Sequence, residues 1–232
     1  MHILLTRPME DCTDLILKFK LLGHQVSHMP LIIIEKKNYE IVNFSEFNGI
    51  VFTSANAIKF LDIKLINKKI ICFCVGRATE KKARSSGFQN VYSADGNVNN
   101  LKELILQNFN SSDGKLLYVS GEIISNNLDQ QLISDGYFVK RIINYKTNPP
   151  KMLNETFIEK LKLKMPEIVF IYSENSAINF LNLIKNYQLV DLWMNTNLMC
   201  IGEKTSSILN EIKWKKIFFF NPGEEEFLLY KI

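Results

Sequence analysis

Short runs of β-branched and aromatic residues alternate with longer amphipathic stretches along the whole chain, the pattern of an α/β protein with mainly parallel sheets. Strands are predicted over Ile3–Leu5, Val26–Ile34, Gly49–Thr53, Ile70–Val75, Asn90–Tyr92, Leu116–Val119, Tyr137–Tyr145, Glu167–Tyr172, Leu198–Ile201 and Lys216–Phe220. Between them, helices are predicted over Met9–Leu22, Asn56–Asp62, Thr79–Ser86, Val98–Gln107, Ser125–Ser134, Asn154–Lys162, Ser176–Asn186 and Thr205–Glu211. Gly23, Gly87 and Gly136 stand just past helices, where a left-handed residue ends the last turn.

The pattern repeats within the chain. Leu4-Leu5 matches Leu116-Leu117, and Gly23-His24-Gln25-Val26 matches Gly136-Tyr137-Phe138-Val139. Val51-Phe52-Thr53-Ser54-Ala55-Asn56-Ala57 matches Ile171-Tyr172-Ser173-Glu174-Asn175-Ser176-Ala177, an offset of 120. Cys74-Val75-Gly76-Arg77-Ala78-Thr79 matches Cys200-Ile201-Gly202-Glu203-Lys204-Thr205, an offset of 126. The order never changes while the offset grows, so the chain reads as two copies of one strand–helix unit, forming two similar lobes with a cleft between them.

At 232 residues, 47% hydrophobic and 22% charged, the chain is long enough for a sizeable core and is neither disordered nor fibrous. Lys and Arg number 28 against 24 Asp and Glu, but only Arg7, Arg77, Arg84 and Arg141 are arginines. With Lys, Asn and Ile abundant, the surplus of +4 reads as coding bias, and suits an anionic small molecule as well as a nucleic acid. No apolar run is long enough for a membrane span, and the N-terminus reads as a buried strand, not a signal peptide. Cys12, Cys72, Cys74 and Cys200 form no C-x-x-C pair and read as small buried hydrophobes of a reducing cytoplasm. With three His and none paired to a Cys at ligand spacing, no metal site is expected.

Candidate chemistry lies where strands give way to helices, because helix N-termini there present free N–H groups and partial positive charge. Thr53-Ser54-Ala55-Asn56 and Ser173-Glu174-Asn175-Ser176 are one matched pair of such loops. Gly76-x-x-Thr79 and Gly202-x-x-Thr205 are a second, with glycine for the tight turn and Thr placed to cap the helix. Each loop taken alone reads first as an ordinary N-cap. Four in related pairs favour a site for an anion with several carboxylates or phosphates. Dinucleotide, P-loop, nucleophile-elbow and zinc-protease motifs are all missing. Gly114-Lys115 precedes a strand, His24 and His28 flank a strand entry, and Lys213-Trp214-Lys215-Lys216 reads as a solvated loop.

The series Leu4-Leu5-Thr6-Arg7-Pro8, Val51-Phe52-Thr53-Ser54-Ala55-Asn56-Ala57, Val75-Gly76-Arg77-Ala78-Thr79, Leu117-Tyr118-Val119-Ser120-Gly121, Asn144-Tyr145-Lys146-Thr147 and Ile201-Gly202-Glu203-Lys204-Thr205 resembles the uroporphyrinogen-III synthase family. The resemblance implies an α/β fold of two flavodoxin-like lobes with parallel sheets, joined by a two-stranded β linker. Residues 1–30 with 149–232 would form one lobe, 38–141 the other, and 31–37 and 142–148 the linker strands. It implies a cytoplasmic, monomeric lyase of porphyrin and haem biosynthesis that needs no cofactor and binds neither nucleic acid nor membrane. Its substrate would be hydroxymethylbilane, a linear tetrapyrrole with eight carboxylates, closed with loss of water and inversion of ring D through a spiro intermediate.

The same resemblance assigns roles. Tyr145 matches the family's linker tyrosine and would donate a proton to the departing hydroxyl, a packed linker residue being the alternative. Thr53, Ser54, Asn56, Gly76, Thr79, Gly121, Ser173, Ser176, Gly202 and Thr205 would line the substrate site. Gly121 would serve through close backbone approach, and Arg7 would take a carboxylate or brace the first turn. Two features depart from the family pattern: Glu174 stands beside an expected anion site, and only two residues follow Tyr230. A non-catalytic two-lobed binder of a polycarboxylate or tetrapyrrole, a flavodoxin-type flavin protein and a nucleic-acid binder are the rival readings.

Overall fold

The computed structural model describes residues 1–124, 126–221 and 223–231. Its strands are β1 (His2–Leu5), β2 (Gln25–His28), β3 (Ile33–Lys36), β4 (Phe47–Phe52), β5 (Ile71–Val75), β6 (Asn90–Ala94), β7 (Lys115–Gly121), β8 (Phe138–Asn148), β9 (Ile168–Ile171), β10 (Asn197–Cys200) and β11 (Lys216–Phe219). The α-helices are α1 (Met9–Leu21), α2 (Ala55–Lys59), α3 (Arg77–Ser85), α4 (Val98–Asn108), α5 (Leu128–Ser134), α6 (Glu155–Leu163), α7 (Glu174–Asn186), α8 (Glu203–Ile208) and α9 (Glu225–Leu228). The sequence periodicity thus finds the described helices α1 to α8 and the strands, while α9 lies outside the predicted helices. The expected helix start at Ser125 lies outside the described residues.

One expected strand is two. The run Val26–Ile34 breaks at Met29-Pro30-Leu31, because Pro30 has no N–H to give a ladder. Met29 N–H donates to the Leu5 carbonyl and Leu31 N–H to that of Thr6, while both side chains are buried. Beyond the break, β3 joins the edge of the other sheet beside β8.

The chain divides into two compact units, Met1–Ile33 with Asn148–Ile232, and Ile34–Thr147. The first holds a five-stranded parallel sheet in the order β11-β10-β9-β1-β2. In chain order within the unit this is the flavodoxin arrangement 2-1-3-4-5. The second holds a six-stranded sheet, β3-β8-β7-β4-β5-β6, parallel from β8 to β6.

Setting β7, β8, β4, β5 and β6 against β1, β2, β9, β10 and β11 makes the two five-stranded orders identical. The internal repeat explains this. Each half of the chain supplies two strands to one unit and three to the other, so the units share one architecture with different chain entry points. Both faces of each sheet are covered. In the first unit, Leu4, Val169 and Leu198 pack on one side with Phe180 and Trp193, while Ile3, Phe170 and Met199 pack on the other with Phe19. In the second, Ile50, Cys72, Leu117 and Val119 pack toward α2 and α3, and Val51, Phe73, Leu116 and Tyr118 pack with residues of α4 and α5. This two-sided burial accounts for near-continuous apolar strands such as His2–Leu5 and Ile168–Ile171. No helix among the described residues is long and apolar enough to cross a membrane.

Candidate substrate site at the strand ends

In a doubly wound sheet, ligands gather outside the carboxyl ends of the strands where the winding reverses. In the second unit that point lies between β7 and β4, which end at Gly121 and Phe52. Residue Tyr145 reaches it from β8 through an irregularity in the ladder. Ser120 pairs with Ile143, but Gly121 pairs with Tyr145, leaving Asn144 as an extra residue in β8. Such a bulge re-aims the side chains that follow it. Asn144 is fully buried, and its Nδ2 donates to the Ala57 carbonyl of α2 at 2.7 Å. The half-buried ring of Tyr145 packs beside Ile142 and Val119, with the Phe60 ring centroid 6.5 Å away.

Gly121 is the seat of that ring. A Cβ built on it would lie 2.7 Å from both Cε2 and Cζ of Tyr145 and 3.0 Å from its hydroxyl. The group in close approach to Gly121 is the Tyr145 ring. Glu122 N–H donates to the Tyr145 carbonyl at 3.0 Å, and the Glu122 carboxylate pairs with Lys37, whose hydrogen bond and charge hold it below the usual carboxylate range. Among the described residues, no hydrogen-bond partner takes the Tyr145 hydroxyl.

Across the sheet, Arg141 on β8 grips the same strand end. Its Nε donates to Ser120 Oγ at 2.8 Å, and one terminal nitrogen to the carbonyls of Gly121 at 2.9 Å and Glu122 at 3.3 Å. The guanidinium carbon is 6.0 Å from the ring centroid of Tyr118. The Tyr118 hydroxyl shares a 3.3 Å hydrogen bond with Thr53 Oγ1, and burial pushes the phenol's pKa upward. Thr53 is thus tied to β7 through Tyr118.

Ser54 is the N-cap of α2 and accepts from Asn56 N–H, while Asn56 is half-buried. Gly76, not Thr79, occupies the N-cap position of α3, at φ 78°, a conformation L side chains rarely adopt. Thr79 sits in the first turn, 5% exposed. The expected Thr cap is corrected in the other unit as well, for Gly202 occupies the N-cap position of α8 at φ 85° and Thr205 is buried, its hydroxyl donating to Ile201 O at 3.4 Å. The glycines turn the chain tightly enough to put the threonines inside.

In the first unit the winding reverses between β1 and β9, which lead to Arg7 and Ser173. Arg7 is half-buried over the Tyr172 ring, 5.1 Å from its centroid, and pairs with Asp11 at 3.5 Å, so it braces the first turn of α1. Ser173 caps α7, accepting from Ser176 N–H at 3.1 Å. The Ser176 hydroxyl is buried and hydrogen-bonded to Ser173 Oγ at 2.9 Å, which commits it to the protein. Glu174 is exposed in the first helical turn, where an acid suits the dipole.

The structure also shifts the repeat by one residue at this loop. Phe52 and Ile171 end their strands and Ser54 and Ser173 cap their helices, an offset of 119, whereas the buried Ala57 and Ala177 keep the offset of 120. Ser54-Ala55-Asn56 therefore corresponds to Ser173-Glu174-Asn175, and the exposed Asn175 holds the place of Asn56. Sequence comparison missed Asn175 by aligning the helices, whose apolar pattern is the stronger signal. Arg141 belonged to no motif, and Asn144 entered only as the neighbour of Tyr145 in a matched run, with no role assigned to it. The scarcity of arginine was the nearest hint for Arg141. Among the described residues, no three His, Cys, Asp or Glu side chains are grouped to hold a metal ion.

These features define an α/β protein of two doubly wound units, each with small polar residues and helix N-termini at its ligand-bearing edge, and with a phenol at one of them. The family model described as uroporphyrinogen-III synthase HemD matches residues 14–219, and the chain belongs to that family, whose activity in haem biosynthesis it carries. The fold is similar to the crystal structure of a uroporphyrinogen-III synthetase from Helicobacter pylori 26695, with a TM-score of 0.63 and 18% identity over 100% of this chain and 99% of that one. It is also similar to a mutant uroporphyrinogen III synthase from the extremely thermophilic bacterium Thermus thermophilus, with a TM-score of 0.52 and 12% identity over 100% of this chain and 97% of that one. A search of curated protein sequences finds no significant match.

Proposed function

We propose that the chain works as a hydroxymethylbilane-cyclising lyase in which Tyr145 is the proton donor. The observation that carries this is the phenol of Tyr145, seated on Gly121 beside the β4 loop and without a hydrogen-bond partner among the described residues. Its Oη–H donates to the terminal hydroxyl of the bilane, the C–O bond breaks and water departs, and loss of the pyrrole N–H proton, which restores the phenol, leaves an azafulvene with an electrophilic methylene carbon. The substituted carbon of ring D attacks that carbon, giving a spiro intermediate that fragments and recloses with ring D inverted.

The remaining task is steering, because the linear substrate closes unaided to the uninverted isomer. Binding energy spent on orientation suffices for that, and no strong nucleophile is required. Backbone N–H groups at the starts of α2, α3, α7 and α8 favour carboxylates, with Thr53, Ser54, Asn56, Gly76, Ser173 and Gly202 exposing the loops that carry them. Thr79, Thr205 and Ser176 act here from within, by fixing those turns, and Arg7 by bracing its own. We place the enzyme in the cytoplasm, a reading supported by four free, buried cysteines, and take it to act as a monomer.

The test is Tyr145→Phe assayed for rate and product isomer. Loss of about a hundredfold in kcat, at the lower end for a general acid because the hydroxyl also leaves unaided, supports the assignment. A kcat within about twofold of the parent would remove Tyr145 from the chemistry.

A further inference from the structure

We propose that Arg141 is a positioning residue for the cyclisation, acting through Gly121 on the phenol of Tyr145. The inference rests on the assignment of Tyr145 as proton donor. Gly121 lies between two groups: the Tyr145 ring on the side of α2, and the Arg141 guanidinium on the side of Tyr118. Beyond Gly121, where β7 ends, the chain keeps one main-chain bond to β8 among the described residues, Glu122 N–H to the Tyr145 carbonyl. Arg141 adds a second restraint from the neighbouring strand, with three hydrogen bonds to the consecutive residues Ser120, Gly121 and Glu122.

The planar fork of arginine is what makes this possible. One rigid group spans a hydroxyl and two carbonyls, which the single ammonium of lysine cannot do in the same geometry. Glu122 in turn donates its N–H to the Tyr145 carbonyl, so the fork fixes both the surface under the ring and a main-chain anchor of the same residue. The β8 bulge increases the need for such an anchor, since the extra residue Asn144 interrupts the ladder immediately before Tyr145. No carboxylate among the described residues pairs with Arg141, so its donors are directed to the strand end and not to an ion pair.

The experiment is a double-mutant cycle on the full chain, with Tyr145→Phe, Arg141→Gln, the double variant and the parent assayed for kcat, KM and the ratio of type III to type I product. Arg141→Gln is expected to lower kcat about ten- to a hundredfold, with KM changed less than about threefold, and to lower the type III share. In the Tyr145→Phe background the same substitution is expected to change kcat by less than about twofold, because the group it positions is gone. Equal losses in both backgrounds, or no loss in either, would overturn the positioning role. If Tyr145→Phe alone retains full kcat, the proton-donor reading fails and this inference falls with it. If it loses kcat but the two losses add, only the inference about Arg141 fails. Should Arg141→Gln not fold, Arg141→Lys and Ser120→Ala enter the same cycle, each removing part of the fork while keeping charge or strand intact.

Discussion

The ring of Tyr145 lies so close to the α-carbon of Gly121 that an added methyl group there would stand 2.7 Å from two of its carbons. Carbon atoms in contact keep roughly 3.5–4.0 Å, so a side chain at 121 and the present ring position exclude each other. Gly121→Ala is therefore expected to displace Tyr145. Overpacking of this kind costs about 1–3 kcal/mol of stability. If Tyr145 donates the proton, kcat falls with it while KM stays near the parent value. Thermal unfolding and steady-state kinetics on the same preparation measure both. A variant with full kcat would show that the ring position does not matter.

The capping serines allow a comparison of the two units. Ser54→Ala and Ser173→Ala each remove a side-chain acceptor from the first turn of a helix, at about 0.5–2 kcal/mol. If both loops hold carboxylates, KM rises in each variant while kcat changes less. A rise in only one would assign carboxylate binding to that unit's loop alone. Asn56→Ala and Asn175→Ala extend the comparison to the pair the one-residue shift relates.

Much of the fold was legible in the chain, because buried parallel strands and amphipathic helices write strong periodic signals. The repeat was legible too, down to Gly76 and Gly202, whose matched left-handed turns confirm that pairing at the level of backbone. What failed did so for local reasons. Pro30 divided a run that hydrophobicity alone joined, and turn geometry gave the caps to glycines while burying Thr79 and Thr205. Ser176 looked like a loop residue because its hydroxyl was visible in the sequence but its bond to Ser173 was not. Arg141 was illegible for a different reason. Its partners are a hydroxyl and two carbonyls on another strand, and main-chain carbonyls carry no sequence signature.

Histidines set one pH dependence. Burial holds His2 below the ordinary histidine pKa of 6.5, with Nε2 2.8 Å from Ser27 Oγ, and lowers His24 as well. The unfolded chain therefore takes up these protons first as pH falls through about 6.5. Stability from this source is full above that value and declines below it, until the folded-state pKa is passed. Urea unfolding across this range is expected to show the decline, and His2→Gln to flatten part of it. An unchanged slope in His2→Gln would contradict the assignment.

Thiol chemistry tests the core. Cys12, Cys72, Cys74 and Cys200 are all free and buried. Burial pushes the Cys12 and Cys200 thiols up to about 11, while the contact with Cys74 at 3.7 Å, together with burial, raises that of Cys72. Native protein at neutral pH is expected to resist alkylation, and urea-unfolded protein to react at all four. Rapid labelling of the native state would show a looser core than the one described.

The most direct measurement is the isomer assay. Freshly prepared hydroxymethylbilane is incubated with and without the purified protein, the products are oxidised, and type I and type III uroporphyrins are separated by chromatography. Predominantly type III product, at a rate above the spontaneous closure, is the expected result. Type I product alone, at the spontaneous rate and with the protein shown to be folded, would contradict the account.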